Sequence, residues 1–176
     1  AKGNSLPLNA IKLGEGERMP TGIGEFDRVL GGGIMKKSCV LVGGEPGIGK
    51  STLLLQAAAS CKTKGRILYV SGEESAEQIR MRADRLGIPG EHIELFCSGE
   101  VQAILRIIET VKPVLIIIDS VQTLHSSEIG PVPGTVNQMK YCAHELITWI
   151  KERGSALLLV AHVTKDGVIA GPKSLE

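Results

Sequence analysis

The stretch that most restricts this chain is residues 39–52, CVLVGGEPGIGKST. An apolar run enters a bend carrying Gly43, Gly44, Pro46, Gly47 and Gly49, and the bend stops on Lys50 and the hydroxyls of Ser51 and Thr52. Glycine loses more backbone freedom on folding than any other residue and has no side chain to bury, so the backbone of such a bend must itself have a use. Glycine reaches the positive φ angles that turn successive N–H groups to one side. A helix that opens where the bend ends adds unpaired donors and the positive end of its dipole. The result is a cradle for an anion. Gly44, Glu45, Pro46, Gly47, Ile48, Gly49, Lys50 and Ser51 fit the pattern GxxxxGK(S/T), with the strand before and the helix after that the pattern requires. In that arrangement Lys50 reaches the β- and γ-phosphates of a nucleotide, Ser51 offers its hydroxyl to Mg²⁺, and Thr52 belongs to the same binding stretch.

Beyond the bend the pattern alternates. A short buried strand is expected at 39–44 and a helix from Gly49 to about Lys62. RILYVSG (66–72) reads as the next strand. Ser75 and Gln78 form a capping box that opens a helix ending near Leu86 and Gly87. HIELFC (92–97) is strand-like, and Val101, Ile104, Leu105, Ile107, Ile108 and Val111 recur at helical spacing until Pro113. VLIIIDS (114–120) and ALLLVAHV (156–163) are apolar on both faces, with a helix from Thr135 between them. Strands of this kind, separated by helices, predict an α/β fold with a mostly parallel central sheet and helices on both faces. Residues 1–20 read as an arm with a short edge strand at Asn9–Leu13, and 21–176 as one core. Thr21 is expected to cap a short helix over Ile23–Leu30. The segments 121–134 and 164–173 are long for loops in a compact domain, which marks them as functional.

The core must be aliphatic, since aromatic residues make up 3% of a chain that is 43% hydrophobic. Twenty basic against 19 acidic side chains exclude a uniformly basic nucleic-acid coat and leave room for a local patch. Cys39, Cys61, Cys97 and Cys142 form no CxxC pair, so no zinc is expected, and Cys39 and Cys97 read as small core residues. No signal peptide and no run of ~18 apolar residues is found, which predicts a cytoplasmic protein that does not engage a membrane.

Further candidates gather at strand ends. Asp119 follows an apolar run at the C-terminal end of a central strand, where open parallel sheets bind ligands, and can hold Mg²⁺ through water. Glu73 and Glu74 directly follow ILYVSG, where a carboxylate could activate the water that attacks a γ-phosphate. For Glu74 the alternative is the solvated face of the next helix. His162 closes LLLVAH, placed to sense the γ-phosphate.

GEPGIGKSTLLLQ, ILYVSGEES, LIIIDSVQT and AHVTKDGVIAGPK, with the lead-in MPTGIGEFDRVLGGGI, resemble the ATPase core of the bacterial RadA (Sms) DNA repair family from about residue 9 onward. More broadly the chain resembles the RecA-like P-loop NTPase fold shared with replicative helicases. The resemblance implies ATP or ADP with Mg²⁺, a hexameric ring, single-stranded DNA in its channel, and ATP-driven branch migration in recombination. It also implies a recombinase and a replicative helicase as partners. On it Glu73 is the catalytic glutamate, with Glu74 sharing the role. Val121–Gln138 is the first DNA-facing loop and Thr164–Lys173 the second, with Lys165 and Lys173 on DNA phosphates, and Arg80 stacks on adenine. The family also carries a four-cysteine zinc module, a KNRFG motif and a protease-like domain that this chain does not contain, so it reads as a truncated core. If the missing motif supplies a trans-acting cation, worth roughly 10³–10⁵ in turnover in P-loop enzymes, weak hydrolysis is expected.

Two other classes begin with the same loop. A non-motor ATPase switch of this fold would bind protein partners, and near-neutral charge suits it. A small-molecule kinase would need an arginine-rich lid, for which only Arg80, Arg82 and Arg85 on one predicted helix are available.

Overall fold

A computed structural model describes residues 5–10, 18–130 and 135–163. Among these, five parallel strands form one sheet in the order β3-β7-β6-β4-β5. They are β3 (Cys39–Gly44), β4 (Ile67–Ser71), β5 (Ile93–Cys97), β6 (Leu115–Asp119) and β7 (Ala156–His162). The helices between them are α2 (Lys50–Ser60), α3 (Ala76–Arg85), α4 (Val101–Val111) and α5 (Val136–Arg153). Side chains along each strand point alternately to opposite faces. Leu115 and Ile117 therefore join Ile67, Tyr69 and Leu158 in one core layer with Leu54 and Leu55 of α2 and Ile79 of α3. Ile116 and Ile118 join Leu68, Val70 and Leu159 in the other, against Ile104 and Ile108 of α4 and Met139, Leu146 and Ile150 of α5. The two runs read as apolar on both faces are thus the inner strands β6 and β7, and β4 is the third inner strand. The predicted α/β architecture is the one observed.

The local signals act as expected at several helix ends. At α3 both bonds of the Ser75–Gln78 capping box form. Thr135 accepts the Gln138 N–H at the start of α5, and Gly154 closes that helix at φ 90°.

Four expectations need correction. Strand 39–44 exists but is an edge strand, so its residues alternate between exposed and half-buried instead of being buried. Cys39 and Cys97, expected in the core, are exposed because each lies on one of the two outermost strands, while Cys61 and Cys142 are the buried thiols. Thr21 does not cap α1 (Gly24–Val29), which starts with no side-chain cap. Instead its N–H and hydroxyl both donate to Asp27 Oδ1 at 2.7 Å. Burial of Asp27 works against its charge, yet these bonds and one from Gly22 hold its carboxyl below the ordinary range. Leu8–Ala10 is a 3-10 turn, so no edge strand forms at Asn9 and Ala10, and residues 11–13 lie outside the described ones.

A small antiparallel pair escaped the sequence reading. β1 (Arg18–Met19) pairs with β2 (Ile34–Met35) and clasps α1. Buried Met19 and Ile34 attach this clasp to the α2/α3 layer.

Candidate nucleotide-binding site

The glycine-rich bend joins the C-terminal end of β3 to α2. Gly47 and Gly49 take φ of 81° and 93°, and an added Cβ at either would meet no atom within 4 Å. Backbone shape, and not crowding, therefore demands glycine there. Gly49 begins α2 without any side-chain cap, which leaves the first N–H groups of the helix to another acceptor. Gly44 is different, since a Cβ would stand 3.2 Å from Lys50 Cδ. Lys50 is buried, and its ammonium donates to the carbonyls of Gly44 at 2.7 Å and Glu45 at 2.6 Å. A cavity of about 250 Å³ opens on the loop, lined by Gly47, Gly49, Lys50, Ser51, Thr52, Arg82 and His162. Ile48, within the motif, is exposed.

Beside the loop, the ends of β4, β6 and β7 form a shelf of polar side chains. Ser71 pairs with Asp119 and Tyr69 with Ile117 in the β4–β6 register. Tyr69 and Asp119 are therefore diagonal neighbours on one face, close enough for an aromatic side chain to span. The Tyr69 hydroxyl donates to Asp119 Oδ2 at 3.0 Å, with both residues buried. Burial, the charge of Asp119 and this hydrogen bond push the Tyr69 phenol well above its ordinary value, so it stays a proton donor. The Asp119–Ser120 peptide is cis.

The two glutamates diverge. Glu73 is half exposed, its Oε1 accepting from Ser120 Oγ at 3.2 Å and lying 3.5 Å from His162 Nε2. Glu74 accepts both arms of the Arg82 guanidinium at 2.7 Å each. Burial opposes the Arg82 charge, but the hydrogen bonds and charge of Glu74 raise the guanidinium above its usual range. Gly72 is required for space: a Cβ there would lie 2.1 Å from Thr123 Oγ1.

Of the residues singled out from the sequence, Lys50, Ser51, Thr52 and His162 share the cavity wall, and Glu73 touches His162. Arg80 does not join them: it pairs with Asp84 at 2.8 Å and lines a separate, mostly apolar cavity with Leu55, Ile79 and Leu95. Arg82 stands at the loop in its place. Lys165 and Lys173 lie outside the described residues, as does the loop 164–173. In the described part of 121–134, the Gln138 side chain accepts from the Ser126 N–H and donates to the Ser126 and Gly130 carbonyls, pinning the segment to α5. Sequence reading missed Tyr69 and Gln122, and weighed Arg82 only for a kinase lid. The Gln122 side-chain amide bonds both backbone groups of His162 and ties the segment after β6 to the end of β7. Strand register and the reach of a helix across a sheet decide these three, and neither is written in local spacing.

Comparison with known proteins gives a consistent result. A family model described as the KaiC ATPase matches residues 19–96. The chain is 56% identical over 172 residues to the DNA repair protein RadA of Treponema pallidum, with 98% of this chain and 37% of that protein aligned. Against RadA of Bacillus subtilis identity is 45% over 97% of the chain, and against that of Escherichia coli 46% over 96%, again spanning 37% of each. The chain thus spans just over a third of the length of these relatives. The crystal structure of a KaiC-like protein from Pyrococcus horikoshii superposes with a TM-score of 0.69 at 19% identity, covering 84% of this chain and 73% of that one, a likeness of fold.

Proposed function

We propose, for a chain that is RadA-like along nearly its whole length and has the α/β RecA-like P-loop fold, that it binds ATP with Mg²⁺ at residues 44–52 and hydrolyses it in the service of DNA repair. The observation that carries the reading is the cavity at the glycine-rich bend, walled by Lys50 and Ser51, with the polar shelf of Asp119 and Glu73 beside it. The loop amides and Lys50 take the phosphates, Lys50 exchanging its loop carbonyls for phosphate oxygens. Ser51 and Asp119 would hold Mg²⁺, Asp119 through water, and their hydroxyl and carboxylate oxygens are the hard donors that ion takes. When bound, the ion neutralises charge on the β- and γ-phosphate oxygens. Tyr69 engages Oδ2 of Asp119 and so fixes the orientation of its carboxylate. Glu73 receives a proton from the attacking water, while Ser120 and His162 orient its carboxylate. The products are ADP and inorganic phosphate.

In the fuller reading the core is a DNA-dependent motor that assembles as a hexameric ring. The segments Val121–Gln138 and Thr164–Lys173 would then face single-stranded DNA, with Lys165 and Lys173 on its phosphates and a recombinase and a replicative helicase as partners in branch migration. A second reading, a non-motor ATPase switch that binds protein, draws on the KaiC family match and the formal net charge of +1. Titrating labelled single-stranded DNA at rising salt separates them. A DNA motor core loses affinity steeply with salt and releases phosphate faster when DNA is present. Phosphate release indifferent to DNA, with no salt-dependent binding, would favour the switch. Failure of ADP and ATP to bind at all would end both.

A further inference from the structure

The cavity at the phosphate loop has a second cation in its wall. Arg82 lies two turns into α3, whose start is fixed by the Ser75–Gln78 capping box, and it faces the same space as Gly49, Lys50 and Ser51. We propose that Arg82 is a phosphate-contacting residue, held on Glu74 until a nucleoside triphosphate enters the cavity.

The argument begins with the fork. A guanidinium presents paired donors whose spacing matches a carboxylate and a phosphate equally well, so what holds Glu74 can also hold a phosphate. Both arms of the guanidinium rest on Glu74 at 2.7 Å, and the Arg82 side chain is only 13% exposed. Its Nε–H is nevertheless buried without a partner. Of the three buried side-chain polar atoms in that condition among the described residues, two belong to this cavity's wall: Arg82 Nε and His162 Nδ1. An orphaned buried donor is uncommon and costly, and the Arg82 Nε–H stands in the wall of the cavity where a multiply charged acceptor is expected.

The partners differ in their freedom. Glu74 is 33% exposed, so its carboxylate can turn to water when displaced, while its backbone stays in place through the N–H bond to Ser71 Oγ. Arg82 is more enclosed and remains at the cavity. Lys50 behaves in the same way, engaged with loop carbonyls. Both cations of the wall thus have internal acceptors weaker in charge than a triphosphate. It follows that Glu74 is a counter-ion in the resting site, with Glu73 left as the base, and that triphosphate entry releases a carboxylate at the end of β4.

This inference rests on the nucleotide reading above, and its test keeps the two apart. Fluorescent ADP and a non-hydrolysable ATP analogue are titrated at fixed Mg²⁺ into the full chain and its variants. Glu74→Gln keeps the side-chain shape and removes the competing charge, so the analogue should bind roughly 3- to 10-fold more tightly. Arg82→Gln should weaken the analogue about tenfold and ADP less, with Arg82→Lys between wild type and Gln. The double variant should match Arg82→Gln alone, since the competitor then has nothing to release. The sign for Glu74→Gln decides the matter, because a purely structural ion pair would leave affinity unchanged or lowered when broken. If wild type binds, Lys50→Ala binds at least roughly 10-fold more weakly, and neither Glu74→Gln nor Arg82→Lys departs from wild type, the Arg82 assignment is overturned and the loop reading stands. If Lys50→Ala binds as wild type does, or wild type binds nothing, both are overturned.

Discussion

The glycine-rich loop and the polar shelf beside it lie at the same end of one sheet, yet they are made of different material. The loop is backbone: its glycines at 47 and 49 have empty space where a Cβ would go and are needed for their positive φ. The shelf is side chain: Tyr69 on Asp119, Ser120 and His162 on Glu73, Arg82 on Glu74. Its glycine, Gly72, has ordinary φ and is needed because Thr123 fills the space. A backbone device needs a short contiguous segment. A side-chain device needs partners from several strands and a helix, brought together only by the fold.

The largest effects should come from the groups nearest the chemistry, one on each side of this divide. Glu73→Gln, on the shelf, removes the proposed base while keeping its hydrogen-bonding shape, so phosphate release should fall by about 10²–10⁴-fold with nucleotide affinity nearly unchanged. Phosphate release at the wild-type rate would place the base elsewhere. Lys50→Ala, in the loop, removes the side chain proposed to meet the phosphates. Its hydrogen bonds to a charged ligand are worth about 1.5–3 kcal/mol, so affinity for ADP and ATP should fall roughly 10- to 100-fold in a fluorescence titration. Affinity equal to wild type would refute the role.

The glycines sharpen the contrast further. Gly72→Ala forces a Cβ onto Thr123, whose hydroxyl donates to the Ser120 carbonyl at 2.7 Å, so the strain passes into Ser120 and Glu73. Overpacking of this kind costs about 1–3 kcal/mol, and phosphate release should drop along with stability. Gly49→Ala meets no atom and costs about 1–2 kcal/mol for the left-handed backbone alone, and its penalty should appear in nucleotide affinity as the loop amides turn away. Denaturant unfolding and nucleotide titration on both variants would show whether the two glycines fail differently. Identical failures would undo the distinction.

This contrast also explains what the sequence could disclose. The loop, the capping box of α3 and the inner strands β4, β6 and β7 were legible because each rests on residues close in the chain or on a run apolar on both faces. The edge position of β3 was not, because CVLVGG carries no mark of which strands flank it, and its outer residues Cys39 and Leu41 are as apolar as inner ones. Glu73 and Glu74 were found together, but their separation into a group beside His162 and one bound by Arg82 depends on β7 and α3. Arg80 looked as eligible as Arg82 on the same helix. Two residues on an α-helix are about 200° apart, which turns Arg80 to Asp84 and Arg82 to the loop.

The effect furthest from the chemistry tests the most deeply buried link of the shelf. Tyr69→Phe keeps the ring that packs among Ile67, Ile117 and Leu158 and deletes the hydroxyl on Asp119. At neutral pH a buried carboxylate oxygen left without its donor should cost about 1–3 kcal/mol in urea unfolding. The cost should depend on pH in a defined direction. The Tyr69 phenol is raised in the folded chain, so its contribution is fully present below the ordinary tyrosine value of about 10 and is lost as pH rises above it, where the unfolded chain ionises and the folded one does not. Wild type should therefore lose about 1.4 kcal/mol more per pH unit above 10 than Tyr69→Phe, and the two should converge. Tyr141, pushed up to about 12 by its hydrogen bond to Glu128, titrates in both proteins and cancels in the difference. A gap between the two proteins that stays constant from pH 7 to about 11 would mean that the phenol is free to ionise in the folded chain, and that Asp119 is oriented by something other than Tyr69.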